Sequence, residues 1–362
     1  MSKIRVLVVD DAVVIRRIVG DVLGGTTDIE VAATAANGKI ALAKIPQINP
    51  DLVTLDVEMP EMDGLTTVRE IRKLYPNLPV IMFSTLTSRG ASAALEALAG
   101  GASDYVTKPA NVGSVAVAME RIREELIPKI RSLCAKAVPQ SAPIALPAKR
   151  STSLPPKRGA GQLEIVVIGV STGGPNALAE VIPALPADLP VPILIVQHMP
   201  PVFTKVLADR LNQKSPLTVK EAEHGERVKA GTVYLAPGDF HMTVEKNPAG
   251  RFIRLNQETP ENSCRPAVDV LFRSAAAADG PNVLAAVLTG MGRDGFRGAE
   301  VVRETGGTVI VQDQATSVVW GMPGMVARAG LADEQVPLSQ IAANITRRVC
   351  DRRPSNTRPT AA

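Results

Sequence analysis

A serine follows directly on an apolar run near the middle of the chain, in the stretch EIVVIGVSTGGP at residues 164–175. Gly169, Ser171 and Gly173 form the pattern Gly-x-Ser-x-Gly, which in some hydrolases turns from a strand into a helix and exposes the serine hydroxyl. This stretch lacks the Gly-x-Gly-x-x-Gly spacing of dinucleotide sites, and the chain has no Gly-x-x-x-x-Gly-Lys-Ser/Thr phosphate-binding loop. A nucleophilic serine is therefore favoured over a phosphate site, with a helix-capping serine as the simpler alternative.

A serine nucleophile needs a base, and the chain has three histidines. His198 ends the apolar run VPILIVQH, so we expect it at the same sheet edge as Ser171. His224 lies in the charged stretch EAEHGER and His241 in the turn GDFHM, where a solvated or structural histidine is the simpler interpretation. His198 is the predicted base.

An acid could fix the tautomer of that histidine. Asp294 follows another apolar run in LTGMGRDG, and Asp269, Asp279 and Asp313 are alternatives on sequence alone. The chain order of serine, histidine and Asp294 differs from the serine, acid, histidine order of α/β-hydrolases. A triad in this chain would therefore belong to another fold.

Three carboxylates follow two apolar runs in the first third of the chain: Asp10 and Asp11 after the first, and Asp56 in LDVEMP after the third. In a parallel sheet the carboxyl ends of such strands meet in one crevice. Clustered carboxylates repel one another, and Mg²⁺ suits an all-oxygen site. For each acid alone a cap or a solvated side chain is the simpler interpretation, so the joint pattern carries the prediction.

Two further polar residues end the fourth and fifth runs, Ser84 and Lys108. A phosphoryl group on one carboxylate would meet the metal, a hydroxyl donor and an ammonium group at this edge. The central Asp56 is the best acceptor. The Lys108–Pro109 peptide bond is expected to be cis.

The elements that must position these groups alternate between strand and helix. In the first third, five strand runs each precede a helical pattern: IRVLVV, IEVAATA, DLVTLDV, PVIMFS and DYVTKP. Such repeats predict an α/β domain with a doubly wound parallel sheet.

The second half repeats this pattern with additions. Its buried-type strands are EIVVIGVS, VPILIVQH, NVLAAVLTG and GTVIVQD, and helices are predicted after residues 175, 203, 266 and 294. The stretch GTVYLAPGDFHMTVEKNPAGRFIRLN, broken by Pro, Gly and Asn, predicts an antiparallel hairpin. We therefore predict a second doubly wound α/β domain with a predominantly parallel sheet and one hairpin.

A proline-rich stretch separates the two halves. Residues 133–162 carry five prolines and no clear periodicity, as in an extended linker. The predicted organisation is a first domain over 1–125, a helix end and linker over 126–162, a second domain over 163–350 and a disordered tail over 351–362.

Composition narrows the class of protein. Hydrophobic residues make up 45% but aromatic residues only 3%, so the cores must be aliphatic, as in parallel α/β sheets. The net charge of +4 equals that of the arginine-rich stretch from residue 347 onward, so nucleic-acid binding is disfavoured. Three scattered cysteines argue against a disulfide framework and a structural zinc site. With no signal peptide and no long apolar run, a cytoplasmic protein without membrane insertion is expected.

The strand-end residues of the first domain closely resemble the receiver domain of two-component response regulators. The resemblance implies a flavodoxin-like fold, in which a histidine kinase phosphorylates Asp56 and Asp10, Asp11 and Asp56 hold Mg²⁺. Ser84 and Lys108 would contact the phosphoryl group, and Tyr105 matches the family's aromatic switch position.

Six motifs of the second half resemble the chemotaxis protein-glutamate methylesterases in order: GVSTGGP, VQHMPPVFT, YLAPGDFHM, CRPAVDVLFRSAA, LTGMGRDG and QDQATSVVWGMPG. The resemblance implies that Ser171 attacks glutamate γ-methyl esters on chemoreceptors and that the same site deamidates receptor glutamines. His198 would serve as base, Asp294 would orient it, and the Met291 N–H would bind the oxyanion. Ester hydrolysis would need no cofactor.

The remaining expectations also follow from the resemblance. Thr172 and Arg265 are candidate supporting residues, and Trp320 stands where the family often has tyrosine. We expect a monomer whose unphosphorylated receiver domain covers the Ser171 cleft until phosphorylation loosens it.

Two other classes of protein are disfavoured. A transcriptional regulator would need a DNA-binding motif, which the second half lacks, and a non-catalytic scaffold would not need Ser171 and His198.

Overall fold

The computed structural model describes residues 3–108, 115–135 and 162–350. The linker beyond residue 135, the tail over 351–362 and the Lys108–Pro109 bond lie outside the described residues. The chain divides between Lys149 and Arg150 into two compact units. Each unit has its own main sheet and its own core.

The first unit contains five strands and five helices among its described residues. In chain order they are β1 Ile4–Val9, α1 Val13–Gly24, β2 Ile29–Ala35, α2 Gly38–Ile48, β3 Leu52–Asp56, α3 Gly64–Leu74, β4 Val80–Ser84, α4 Ser88–Ala99, β5 Asp104–Thr107 and α5 Val115–Cys134. The strict alternation confirms the predicted α/β class.

The five strands form one parallel sheet in the order β2-β1-β3-β4-β5. This is the flavodoxin-like order, in which the crevice lies at the carboxyl ends of β1 and β3. Asp56 is the last residue of β3, Ser84 the last of β4, and Asp10 follows β1 directly. The fold therefore brings the predicted acidic residues to one edge.

Helix α5 packs against the first unit over its length. Leu126, Ile127 and Ile130 are buried in the same core as Val6 and Phe83. The Arg131 guanidinium also pairs with the Asp28 carboxylate, with both N–O distances at 2.8 Å. The helix continues past residue 125 as part of this unit's packing.

The second unit contains nine strands and six helices among its described residues. They are β6 Ile165–Val170, α6 Gly174–Val181, β7 Ile193–Gln197, α7 Phe203–Lys214, β8 Thr218–Glu221, β9 Thr232–Leu235, β10 His241–Asn247, β11 Gly250–Asn256, α8 Val268–Asp279, β12 Val283–Val287, α9 Phe296–Glu304, β13 Thr308–Gln312, α10 Met322–Arg328, β14 Glu334–Val336 and α11 Leu338–Cys350.

Seven of these strands form a parallel sheet in the order β14-β13-β12-β6-β7-β9-β8. The chain runs outward from β6 through β7 on one side and later returns to β12 on the other side. The order therefore reverses at β6, and a crevice forms beyond the carboxyl ends of strands at such a point. Ser171 follows β6 there.

The hairpin prediction holds for only part of its stretch. Strands β10 and β11 pair antiparallel, from His241 opposite Asn256 to Asn247 opposite Gly250. Thr232–Leu235, which we included in the hairpin, is instead a parallel strand between β7 and β8. The hairpin packs on α8, with the Val244 N–H donating to Ser274 Oγ at 3.1 Å.

Mainly aliphatic side chains fill the core of the second unit. Val167, Val196 and Val287 from the central strands lie in one cluster with Leu271 and Phe272 of α8. Of the helices within the described residues, none has the length and apolar character needed to span a bilayer.

Candidate active site

The turn that carries Ser171 depends on its two flanking glycines. A Cβ on Gly169 would lie 2.3 Å from Val268 Cγ1, so a side chain there would collide with helix α8. Gly173 has φ +77°, and a Cβ there would lie 2.7 Å from Val318 Cβ. The left-handed residue of the turn is thus Gly173, and Ser171 does not share that conformation. The Gly-x-Ser-x-Gly spacing is required by packing and by the turn.

Ser171 and His198 lie at the ends of adjacent strands. Val170 pairs with Gln197 in the β6–β7 register, and the His198 N–H donates to the Val170 carbonyl at 3.2 Å. The buried Gln197 amide donates to the carbonyls of both Ser171 and His198, at 3.1 and 3.2 Å. This amide ties together the two backbone segments that carry the predicted nucleophile and base.

The His198 imidazole contacts Asp294 through its Nε2 atom, 2.8 Å from Asp294 Oδ2. Its Nδ1 atom lies 3.7 Å from Cys264 Sγ. Within residues 162–350 the Ser171 hydroxyl forms no hydrogen bond with the ring. Because Nε2 is bonded to Asp294, Nδ1 is the nitrogen left for Ser171. Such contacts in unliganded sites are often long and close when substrate binds.

Asp294 is held by the amino end of helix α8. The Val268 N–H donates to its Oδ2 at 2.7 Å, and the Asp269 N–H donates to its Oδ1 at 3.0 Å. The Asn262 amide donates to Asp294 Oδ1 at 3.0 Å and to Asp269 Oδ2 at 2.9 Å. These donors fix the carboxylate that contacts His198.

The electrostatics follow from this arrangement. Burial opposes ionisation of Asp294, but the hydrogen bond from His198 and the backbone donors outweigh it and lower its pKa. Burial also opposes protonation of His198, but Cys264 and the Asp294 carboxylate outweigh it and raise the pKa of the imidazole. Burial raises the pKa of Asp269 to about 6, with repulsion from Asp294 adding to it. The site favours an anionic Asp294.

The loop after β12 lies against the serine. A Cβ on Gly290 would be 2.8 Å from Ser171 Cβ, and Met291 is the next residue. Among the described residues, no acceptor is found for the Met291 N–H. The Thr172 carbonyl accepts from Thr289 Oγ1 at 2.9 Å, which joins this loop to the serine turn.

Arg265 serves the surrounding loops. Its guanidinium pairs with Asp239 at 2.5 Å and donates to the carbonyls of Gln257 and Glu258 at 3.0 Å. These contacts make Arg265 a residue that fixes the loop before α8.

Among the described residues, none of the other sequence candidates forms a hydrogen bond or an ion pair with His198. Asp279 pairs with Lys246, and Asp313 accepts from the backbone N–H of Thr316.

His224 contacts the Leu255 backbone. The buried His241 lies between the Thr259 carbonyl and the Ala267 N–H. Trp320 Nε1 donates to the Gln312 carbonyl at 3.0 Å.

Three residues at the site were not predicted from the sequence: Gln197, Asn262 and Cys264. The sequence could have identified Gln197, because a buried polar residue at the end of an apolar run needs a hydrogen-bond partner. Asn262 and Cys264 come from a loop with no periodic pattern, so only the fold reveals them.

The first unit places a second polar cluster at its sheet edge. Lys108 Nζ lies 2.9 Å from Asp10 Oδ2 and 2.7 Å from Asp56 Oδ2. One carboxylate oxygen from each of Asp10, Asp11 and Asp56 lies within 4.8 Å of the other two. Burial raises the pKa of Asp56 to about 6, with Lys108 opposing and Asp10 adding to the shift.

The remaining predicted residues of this cluster are buried. Ser84 Oγ donates to the Gly90 carbonyl at 2.7 Å. Lys129 Nζ donates to the Tyr105 carbonyl at 2.6 Å and lies 5.0 Å from the ring centroid. Burial raises the pKa of the Tyr105 hydroxyl well above its ordinary value.

The acidic cluster fits Mg²⁺. Lys108 Nζ, 2.9 Å away, is the cation nearest to the buried Asp10 Oδ2. A donor set made only of carboxylate oxygens suits this hard cation. Asp10, Asp11 and Asp56 could therefore hold it.

Known protein families match both units of the chain. The family described as response regulator receiver domain matches residues 6–120, and the family described as CheB methylesterase matches residues 166–345. A protein-glutamate methylesterase/protein-glutamine glutaminase of Nocardioides sp. is 55% identical over 98% of both chains. One of Trichodesmium erythraeum is 53% identical over 96% of this chain and 100% of its own.

A solved structure gives the same result for the second unit. The crystal structure of the Thermotoga maritima CheB methylesterase catalytic domain is 49% identical, covers 51% of this chain and 97% of its own, and superposes with a TM-score of 0.50. Fold and sites define a response regulator whose second domain is of the methylesterase type. The chain belongs to the protein-glutamate methylesterase/protein-glutamine glutaminase family.

Proposed function

We propose that this protein is a phosphorylation-activated esterase that hydrolyses glutamate γ-methyl esters on chemoreceptors. The observation that carries the proposal is the hydrogen bond between His198 and Asp294 at the strand end beside Ser171. The names of the related proteins support the same activity.

Ser171 is the nucleophile. His198 Nδ1 accepts the hydroxyl proton as Ser171 Oγ adds to the γ-carbonyl carbon of the ester. Asp294 holds the ring in the tautomer that leaves Nδ1 free to accept a proton and stabilises the imidazolium. The Met291 N–H donates to the oxyanion, a contact that contributes about 3 kcal/mol in related chemistry.

Collapse of the tetrahedral intermediate breaks the bond to the methoxy oxygen. His198 returns its proton to that oxygen, and methanol leaves. A water molecule, deprotonated by His198, then attacks the acyl-enzyme and releases the glutamate carboxylate with Ser171 restored. A receptor glutamine passes through the same acyl-enzyme with ammonia as leaving group, which accounts for deamidation at one site.

The receiver unit supplies control. Asp56 accepts a phosphoryl group from a histidine kinase, and Asp10, Asp11 and Asp56 would hold the Mg²⁺ that neutralises charge during transfer. Lys108 and Ser84 then contact the phosphoryl oxygens. Tyr105, at the family's aromatic switch position, responds to the phosphorylation.

The test measures methanol release from methylated receptor membranes, with and without a small phosphodonor. Ser171→Ala should lower turnover by about 10³-fold or more, because the covalent route is lost, while Asp56 phosphorylation stays intact. Ser317→Ala, which removes a hydroxyl from the loop before Trp320, is the control and should keep most activity. Turnover retained in Ser171→Ala would exclude this serine.

A further inference from the structure

A thiol stands beside the nitrogen that the proposed hydrolysis uses. Cys264 Sγ lies 3.7 Å from His198 Nδ1, and the residue is partly exposed. The hydrolytic steps give this thiol no task. Cys134 and Cys350 lie outside the cluster that Cys264, His198 and Asp294 form.

The separation of the two atoms matches a shared metal ion. With a Zn–S bond of about 2.3 Å and a Zn–N bond of about 2.05 Å, a tetrahedral ion places its sulfur and nitrogen ligands about 3.6 Å apart. The observed 3.7 Å therefore needs almost no movement. Asp294 belongs to the same cluster, with one oxygen within 4.8 Å of the other two groups, but it bonds the far nitrogen of the ring and is not a ligand of an ion on Nδ1.

Asp294 prepares the imidazole for such an ion. Its Oδ2 bonds Nε2 at 2.8 Å, so in the neutral ring the lone pair is on Nδ1, the atom that faces Cys264. A carboxylate bonded to the far nitrogen of a metal-binding histidine orients the ring and raises its basicity.

The turn that carries Cys264 is fixed to the same carboxylate. Backbone hydrogen bonds join Glu261 and Cys264 in both directions, at 3.1 and 2.9 Å. Asn262 has φ +53° and donates its amide to Asp294 Oδ1 at 3.0 Å. A left-handed asparagine held this way sets the position of the thiol relative to the ring.

We propose that Cys264 and His198, supported by Asp294, form an inhibitory site for Zn²⁺. This rests on the proposed function, because the ion would occupy the Nδ1 lone pair that must accept the Ser171 proton. The thiol gives up its proton to solvent when the ion binds. Mg²⁺ prefers oxygen ligands and would not compete here.

Binding is tested on the full-length protein without substrate. Co²⁺ replaces Zn²⁺ as a probe, since a thiolate ligand gives a charge-transfer absorption that Zn²⁺ lacks. The wild type should show this band, with Zn²⁺ displacing it, and Cys264→Ser should not. Cys134→Ser and Cys350→Ser are the matched controls and should keep it. Asp294→Asn should weaken Zn²⁺ binding by about 10- to 100-fold.

Alkylation gives a measurement that needs no variant. Zn²⁺ should protect Cys264 of the wild type from iodoacetamide, detected by mass spectrometry, while Mg²⁺ should not. Absence of both the Co²⁺ band and the protection would overturn the proposal, and so would an unchanged band in Cys264→Ser.

Inhibition is measured as methanol release relative to each protein's own metal-free rate. Zn²⁺ should inhibit the wild type, a chelator should restore it, and Cys264→Ser should resist. Binding without inhibition would overturn the inhibitory role. The Co²⁺ experiment uses no substrate, so it stands or fails separately from the proposed esterase activity.

Discussion

At the scale of single residues, the position of His198 is set by groups that never meet the substrate. Asp294 contacts Nε2, and backbone donors of helix α8 hold Asp294 in turn. The Gln197 amide joins the carbonyls of Ser171 and His198. The proposed nucleophile and base are therefore oriented through backbone hydrogen bonds as well as through their own side chains.

The pH dependence of hydrolysis should reflect this environment. The pKa of His198 is raised from its ordinary 6.5, and only the neutral ring can accept the serine proton. The rate should therefore rise with pH, with its midpoint above 6.5. Asp294→Asn should shift the midpoint downward and lower the rate by about 10⁴-fold. Methanol release across a pH series measures both, and a wild-type midpoint below the ordinary histidine pKa would contradict the argument.

Asp56 should make the receiver unit less stable as pH rises. Its pKa moves from 3.8 in the unfolded chain to about 6 in the folded unit, so the folded state binds more protons between these values. Stability falls as pH rises through this window and stays lower above it. Asp56→Asn should stabilise the unit by up to about 3 kcal/mol at about pH 8, the free-energy equivalent of the rise in pKa from 3.8 to about 6. Urea unfolding measures this.

The control for that measurement is an exposed carboxylate. Asp28 pairs with Arg131, whose hydrogen bonds lower the pKa of the carboxyl. Asp28→Asn should give no stabilisation at the same pH. An Asp56→Asn protein no more stable than the wild type would contradict the expected burial penalty.

At the scale of elements, the serine turn depends on a left-handed glycine that packs closely. Gly173 has φ +77° and leaves no room for a Cβ beside Val318. Gly173→Ala should cost about 2–4 kcal/mol, the sum of left-handed backbone strain and overpacking. Activity should fall with it, because Ser171 lies in the same turn. Urea unfolding and methanol release measure the two effects.

Gly330 provides the matched control for this turn. It has φ +70°, but a Cβ there would meet nothing within 4 Å. Gly330→Ala should therefore lose only about 1–2 kcal/mol from backbone strain and keep its activity. Equal losses in the two variants would show that the contact with Val318 is unimportant.

The sequence predicted the elements that have strong local patterns. The apolar runs identified β6, β7, β12 and β13, and the strand ends placed His198 and Asp294 at one edge. Two edge strands were missed, the four-residue β8 and the three-residue β14, because they are short and only partly buried. Strand β9 was assigned to the hairpin because the turns around it resemble those of a hairpin, and only its pairing with β7 distinguishes the two.

Cys264 shows the other limit of sequence reasoning. Its loop has no hydrophobic period, and its position depends on Asn262, which bonds Asp269 and Asp294 from other parts of the chain. Contacts of this kind depend on the finished fold, so no local pattern predicts them.

At the scale of the whole molecule, the two units are built independently. Among the described strands, none of the three sheets combines strands of both units, and the main cores are separate. The related catalytic domain of Thermotoga maritima has a crystal structure of its own. A fragment beginning at residue 151 should therefore fold with its serine turn intact.

That fragment tests whether the receiver unit restrains the esterase. We expect removal of residues 1–150 to raise the basal rate of methanol release, because the fragment lacks the receiver unit that would restrain the esterase. In the full chain, a small phosphodonor with Mg²⁺ should raise the rate as well, and Asp56→Asn should abolish that response while the fragment ignores the phosphodonor. A fragment no faster than the intact, unphosphorylated protein would contradict the expected restraint by the receiver unit.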